Sequence, residues 1–361
     1  MVHRKNVIST MIKSVVAAGV VGVLWVVVGF SLAFGESIGG FIGNPTTFLF
    51  FKNVNSGAPW SLAPTIPLSL FAIFQMMFAI ITPGLVVGAV AERIRFSSYI
   101  LFTVLFLLLI YAPLAHWSWH PEGFLFKMGV LDFAGGTVVH ISAGCAALAG
   151  ALVLKRRKVH LEHKEIPPAN VPYVLIGTGL LWFGWFGFNG GSLLRSNANI
   201  GLVITNTNLA PAAAGVSALI FNYVMEKRLN AGKFFTAILA GLVAITAGSS
   251  RVNPEGAVYI GLITGIVAIL AQDFIEKILK IDDPVAAIAV HGVGGVIGTL
   301  CVAPFADKST LLVENNSRIL QLGIQAVGVG TAFVWSFGLG ILFFWCVKKT
   351  LGIRVSPEEE R

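Results

Sequence analysis

Charged residues are sparse along this chain, and the gaps between them predict its architecture. Ten stretches of 17 residues or more carry no Asp, Glu, Lys or Arg: 14–35, 53–91, 96–121, 133–154, 166–194, 196–225, 234–250, 256–272, 284–306 and 319–347. A bilayer core about 30 Å thick takes roughly 20 apolar residues of helix. The spacing therefore predicts an all-α polytopic membrane protein with about ten transmembrane helices. The longest connections fall near 37–66, 116–131 and 155–170, the last a basic turn with two prolines. No soluble domain is expected. The chain reads as one transmembrane domain over 1–349 and a short tail over 350–361, too short to fold alone.

Composition agrees: 56% of the 361 residues are hydrophobic and 12% are charged, about half the charge of an ordinary soluble domain. A disordered chain and most cytosolic enzymes are excluded. The net charge of +8 would suggest an anionic partner, so its placement matters. If both termini are cytoplasmic, nineteen of the 25 Lys and Arg residues fall inside, and only Lys52, Lys127, Arg195, Arg251, Lys308 and Arg318 fall outside. That is the bias expected of ten spans. The basic balance reports topology, and no nucleic-acid partner is expected. Cys145, Cys301 and Cys346 match no metal spacing and no disulfide set. No nucleophile–base pair appears either, so neither an enzyme, a metal nor a cofactor is expected. The first apolar stretch runs into the body of the protein, unlike a cleaved signal.

A weak internal repeat carries the candidate chemistry. One segment reads Asp132-Phe-Ala-Gly-Gly-Thr-Val-Val-His140 and another Asp283-Pro-Val-Ala-Ala-Ile-Ala-Val-His291. Each Asp is expected to cap a helix, with Pro284 at a first helical position. By the predicted topology the two helices enter from opposite faces. Eight residues at 1.5 Å per residue is about 12 Å of depth, which brings both histidines near the midplane. Helices of opposite direction sharing a motif are the mark of an inverted-repeat transporter, whose site lies at the midplane. A lone buried histidine is usually a satisfied core residue, whereas two at one depth favour a pathway. His3, His116, His120, His160 and His163 are assigned to termini or loops. The run Trp182-Phe-Gly-Trp185-Phe-Gly-Phe188-Asn-Gly-Gly-Ser192 fits two readings, an interfacial aromatic belt or a cation site. Its dense glycines fit close helix packing.

These residues also carry a resemblance. The ordered motifs SLAFGE (31–36), GAVAERIRF (88–96), DFAGGTVVHI (132–141), GWFGFNGGS (184–192), DDP (282–284) and HGVGG (291–295) closely resemble those of the ammonium transporter family, related to Rhesus-type channels. The resemblance covers nearly the whole chain and implies the inverted-repeat ammonium-transporter fold. It implies external recruitment of ammonium by Phe74, Phe78, Trp119 and Ser192, and a gate of two stacked rings, Phe78 and Phe188. It further implies twin pore histidines at His140 and His291, with Asp132, Asp283 and Trp185 as structural or electrostatic supports. Ammonium would be deprotonated, and ammonia and the proton would pass the histidines, for net electrogenic uptake. Ammonium or ammonia is the implied substrate, with methylammonium as an analogue. The implied setting is a homotrimer in the plasma membrane, with a cytoplasmic nitrogen-regulatory signal protein as a partner. An ammonium sensor and a non-conducting subunit are the competing readings. Two departures stand out. Arg4-Lys-Asn-Val-Ile-Ser9 resembles the loop that follows the family's first helix, so ten spans are expected here in place of eleven, in a shortened or mis-started chain. Arg195 is an odd neighbour for a cation entrance.

Overall fold

The computed structural model describes residues 2–162 and 169–360. Among them nine helices are long and apolar enough to cross a membrane: α1 (Arg4–Phe34), α2 (Leu68–Val90), α3 (Phe96–Met128), α4 (Gly136–Leu154), α5 (Val171–Gly191), α6 (Asn199–Glu226), α8 (Pro254–Ile278), α9 (Ile288–Phe305) and α10 (Arg318–Thr350). A shorter apolar helix, α7 (Ala231–Thr246), packs among them. The ten helices occupy the ten charge-free stretches. Hydrocarbon offers no partner for a free backbone N–H or C=O, and a helix satisfies all of them internally. The bundle is apolar outward: Tyr173, Leu180 and Phe183 of α5 and Ile220 and Val224 of α6 are exposed. Pro167 and Pro168 of the 155–170 connection, with His163, lie outside the described residues.

The packing repeats itself. α1 lies against α2 and α3, and α2 against α4; correspondingly α6 lies against α7 and α8, and α7 against α9. The two histidine helices, α4 and α9, meet at the centre of the bundle and both pack against α10. α4 runs toward the face that carries the chain ends, and α9 runs away from it. The sequence repeat is thus an inverted structural one.

Charge is concentrated on that terminal face. His3 N–H donates to the Glu92 carboxylate, which also pairs with Arg157. Arg157 Nε and Nη2 donate to the two Asp282 oxygens at 2.8 Å each, and Arg93 stands 3.4 Å from Asp282. Burial would raise the Asp282 carboxyl, but the two guanidiniums hold it down to about 2. Residues of the 350–361 tail dock on the same cluster. Arg95 N–H donates to Ile353 O at 2.9 Å, Val355 N–H to Arg93 O at 3.0 Å, and Arg354 pairs with Glu360 at 2.7 Å. Both chain ends therefore share one face, as an even number of crossings requires.

Two local expectations are corrected. His116 and His120 are buried rather than in a loop, because α3 stays helical through Trp119 and the hairpin Ser37–Ile38 with Ile42–Gly43 folds over its end. His116 bonds Ala33 O at 2.9 Å and Ser37 Oγ at 2.8 Å, and its ring stacks 4.3 Å from that of His120. Pro284 does not open a helix. It sits in a turn, Ala286 is left-handed at φ +58°, and α9 begins only at Ile288, with a π-helical stretch through Val293 before regular α-helix.

Candidate functional site

The repeated Asp does its work at a distance from the helix it anchors. Gly135 adopts φ +110°, a left-handed conformation that costs an ordinary residue strain and suits glycine. This turn folds the chain back so that Asp132 receives the N–H groups of Gly135 (2.9 Å), Gly136, Thr137 (3.0 Å) and Val138 (3.1 Å), and the Thr137 hydroxyl. Nearly the whole open N-terminus of α4 is satisfied by one carboxylate. In the second copy the left-handed residue falls at the same offset, Ala286. Asp283 Oδ2 there accepts the Ile288 N–H at 2.7 Å, and Oδ1 is buried without a partner among the described residues. Both aspartates are thus anchors several residues ahead of the π-helical stretches that open α4 and α9, not simple N-caps.

These anchors set the histidines. The His140 and His291 rings lie 13° from parallel with centroids 5.3 Å apart and Nδ1 atoms 3.3 Å apart. One of the facing nitrogens must donate and the other accept. The approach depends on glycine: a Cβ at Gly144 would stand 2.2 Å from Gly292 N, beside His291. His140 Nε2 is buried without a hydrogen-bond partner among the described residues. Such a nitrogen asks for an explanation.

Aromatic rings continue the line. Trp185 lies 5.5 Å from His140 and 14° from parallel, held by its Nε1–H, which donates to Thr246 Oγ1 at 2.9 Å. Phe188 lies 5.7 Å from His140 and 4.5 Å from Phe78. Phe78 and Phe188 are inclined at 55°, not stacked as expected. Phe78 meets Trp119 edge-on at 5.6 Å, and Trp119 Nε1–H donates to Asp132 O at 2.8 Å. The anchor of α4 thereby also fixes Trp119.

On the face away from the chain ends this line opens into a cavity of about 170 Å³ lined by Phe78, Trp119, Ser192, Gln75, Ser118 and Arg251, among others. Phe74 is not on its wall and lies behind Phe78, ring centroids 4.9 Å apart. Ser192 Oγ donates to Phe188 O at 2.8 Å, which spends its proton and leaves its lone pairs to accept. Gln75 Oε1 and Ser118 Oγ are buried without partners among the described residues. A site of ring faces and hydroxyl or amide oxygens suits a small cation that donates in several directions. Arg195 is exposed and off this wall, whereas Arg251 is on it. Gln75, Ser118 and Thr246 carry no expectation from sequence, and Arg251 is expected there only as a charge on the outer side. The helical offset of Gln75 from Phe78 was the one available signal.

With this geometry in hand, comparison with known proteins is decisive. A family model described as Ammonium Transporter Family matches residues 1–361. The chain belongs to the ammonium transporter family. It is 38% identical to an ammonium transporter of Aquifex aeolicus, over 99% of this chain and 83% of that protein. It is 39% identical to ammonium transporter Amt1 of Archaeoglobus fulgidus, over 100% of this chain and 89% of that one. Among solved structures it is similar to a protein called Sensor Amt Protein, with TM-score 0.93 and 52% identity, covering 99% of this chain and 88% of that chain. It is also similar to Saccharomyces cerevisiae Mep2, with TM-score 0.89 and 33% identity, covering 97% and 80%. These relatives fix the fold as the all-α polytopic fold of ammonium transporters, which transport rather than catalyse. The chain is a multi-pass membrane protein of that family.

Proposed function

We propose that this ammonium transporter recruits NH4+ at the cavity of Trp119, Phe78 and Ser192, removes its proton there, and passes ammonia and the proton separately along His140 and His291. Dehydrating an intact cation in a low-dielectric passage costs on the order of tens of kcal/mol. Ring faces and acceptor oxygens offset part of that at the mouth. Past the inclined rings of Phe78 and Phe188, neutral ammonia carries no charge to desolvate and crosses at far lower cost than the ion. The facing imidazoles, each able to donate at one nitrogen and accept at the other, offer the proton a separate route. Asp132, Asp283 and Trp185 hold this frame, and transport is net electrogenic. The observation that carries the reading is the unbroken series of Trp119, Phe78, Phe188, His140 and His291, each ring within 5.7 Å of the next.

The terminal face carries most of the Lys and Arg, which supports a cytoplasmic placement of both ends in the cell membrane. Helix α5 leaves nearly all its apolar surface uncovered, which supports assembly into a homotrimer. The docked tail and basic loops offer a surface to a nitrogen-regulatory signal protein. A second reading, an ammonium sensor, is favoured by the 52% identity to Sensor Amt Protein. The test is current on a solid-supported membrane from the reconstituted chain, pulsing ammonium or methylammonium against sodium and potassium. Saturable ammonium current, lost in H140A/H291A, is expected. Unchanged selective current in that variant would sink the proton-relay mechanism, and ammonium binding without current in the wild type would favour the sensor.

A further inference from the structure

A second cavity, about 480 Å³ in volume, lies toward the terminal face. Its wall includes Pro284 and Val290 of the α9 segment, the latter adjoining His291 in the chain, with Thr178, Thr236, Gln272 and Glu276. Glu276 is the one carboxylate on this wall, and no Lys, Arg or His stands there among the described residues. The outer cavity is the reverse, since its Asp132 is consumed by backbone N–H groups and Arg251 lies on the wall.

Glu276 is also poorly placed for a structural role. It occupies the last turn of α8, where the negative end of the helix dipole disfavours a carboxylate. Its neighbour Asp273 is neutralised by Lys233 and Lys277, whereas no ion pair holds Glu276 among the described residues. Gln272 Nε2–H donates to Glu276 Oε1 at 3.4 Å, which turns Gln272 Oε1 away, buried and without a partner among the described residues. Two acceptors, one of them a carboxylate, thus share a cavity whose wall carries no Lys, Arg or His among the described residues.

We propose that Glu276 and Gln272 form an inner ammonium site, where ammonia and the proton that left it at the outer cavity rejoin. The bond broken outside is re-formed here, and the resulting NH4+ donates to the Glu276 carboxylate and to Gln272 Oε1. The Thr178 and Thr236 hydroxyl oxygens are further acceptors on the wall. The inner site then bears the stronger electrostatic hold, and half-saturation should depend on the face from which ammonium arrives.

This proposal rests on the transport reading, and the experiment separates the two. Full-length protein with a C-terminal His tag is reconstituted, and vesicles exposing the terminal face are captured on nickel from those that hide it. Ammonium-dependent current is then measured in both populations. E276Q should raise the half-saturating ammonium concentration about tenfold at the terminal face, the scale of one charge-assisted hydrogen bond, and under about twofold at the other. The swapped variant E276Q/Q272E, which returns a carboxylate to the same cavity, should recover most of that loss. Equal half-saturation in wild type and E276Q, or equal shifts on both faces, overturns the inner site while leaving transport standing. If the wild type passes no current, the transport reading fails. Calorimetric titration of the detergent-solubilised protein with ammonium then decides: loss of one site in E276Q supports the proposal, and unchanged stoichiometry overturns it.

Discussion

Replacing Asp132 by Asn removes one charge and almost no volume, which makes it a sharp test of how α4 is held. Asp132 Oδ1 accepts from Gly135 and Gly136 N–H, and Oδ2 from the Thr137 and Val138 N–H groups and the Thr137 hydroxyl. An amide has one oxygen, so an NH2 group must face one of these two sets of donors. Turned one way it orphans two N–H groups; turned the other it orphans two N–H groups and forces the hydroxyl to rotate. Each buried, unsatisfied donor costs about 1–3 kcal/mol, so D132N should lose about 3–5 kcal/mol. That is a large part of the 5–15 kcal/mol that holds an ordinary domain together.

Asp283 is the internal control, because it stands at the same distance before its histidine and its contacts differ. It accepts the Ile288 N–H on Oδ2 and leaves Oδ1 without a partner among the described residues, and burial pushes its carboxyl above the ordinary aspartate range. An Asn there can aim its oxygen at Ile288 and its NH2 into the position Oδ1 vacates, so D283N should cost under about 1 kcal/mol. The assay is denaturant or thermal unfolding of both variants in one detergent, with hydrogen exchange read at Gly135–Val138. D132N unfolding within about 1 kcal/mol of wild type, with no faster exchange at those amides, would refute the anchoring argument. Loss of ammonium current in a D132N of undiminished stability would instead assign Asp132 an ionic role in conduction.

Further outcomes follow from the same contacts. G144A should destabilise the protein by at least about 3 kcal/mol or part the histidines, since its Cβ would stand 2.2 Å from Gly292 N; unfolding and ammonium current measure the two effects. R157A leaves Asp282 and Glu92 buried with their main cation gone and should cost about 3–5 kcal/mol, read as a shift of the unfolding midpoint. The folded Asp282 carboxyl, at about 2, lies below its ordinary 3.8, so its contribution is complete above pH 4, is lost as pH falls toward 2, and amounts to about 2 kcal/mol. An acid titration of the thermal midpoint in wild type and D282N should show that loss only in the wild type. T246V removes the acceptor of Trp185 Nε1–H and should lower ammonium current while leaving the unfolding midpoint within about 1–2 kcal/mol of wild type.

The parts of this protein legible in its sequence are those that the bilayer writes into local composition. A charge in hydrocarbon is costly wherever it falls, so ten helices can be read from gaps between charges without any knowledge of how they pack. The repeat was legible for a related reason, since His140 and His291 are histidines placed near mid-depth of those gaps at one distance from an aspartate. What lay beyond reading was contact between distant segments. Nothing near Gly144 distinguishes it from the glycines that meet nothing, such as Gly177 or Gly184; its partner is 148 residues on, at Gly292. Arg93, Arg157 and Asp282 look like ordinary loop charges until folding buries them together. The tilt of Phe78 on Phe188 and the displacement of Phe74 depend on rotamers that spacing does not encode.

The aspartates show why a repeated motif can hold two different mechanisms. Both copies place a carboxylate eight residues before a histidine and a left-handed residue three positions after the carboxylate. The first copy uses glycine at that turn, reaches φ +110°, and brings four N–H groups onto one carboxylate. The second uses alanine, halts at φ +58°, and brings far fewer. Backbone freedom at one residue therefore divides the anchors: at the outer end the negative charge is spent on the helix, and at the inner end Asp283 keeps one oxygen without a partner among the described residues. If that division governs function, A286G should not alter half-saturation from the outer face but should change it from the terminal face, where Ala286 lines the inner cavity. Equal responses on the two faces would mean that the asymmetry of the anchors is a matter of stability alone.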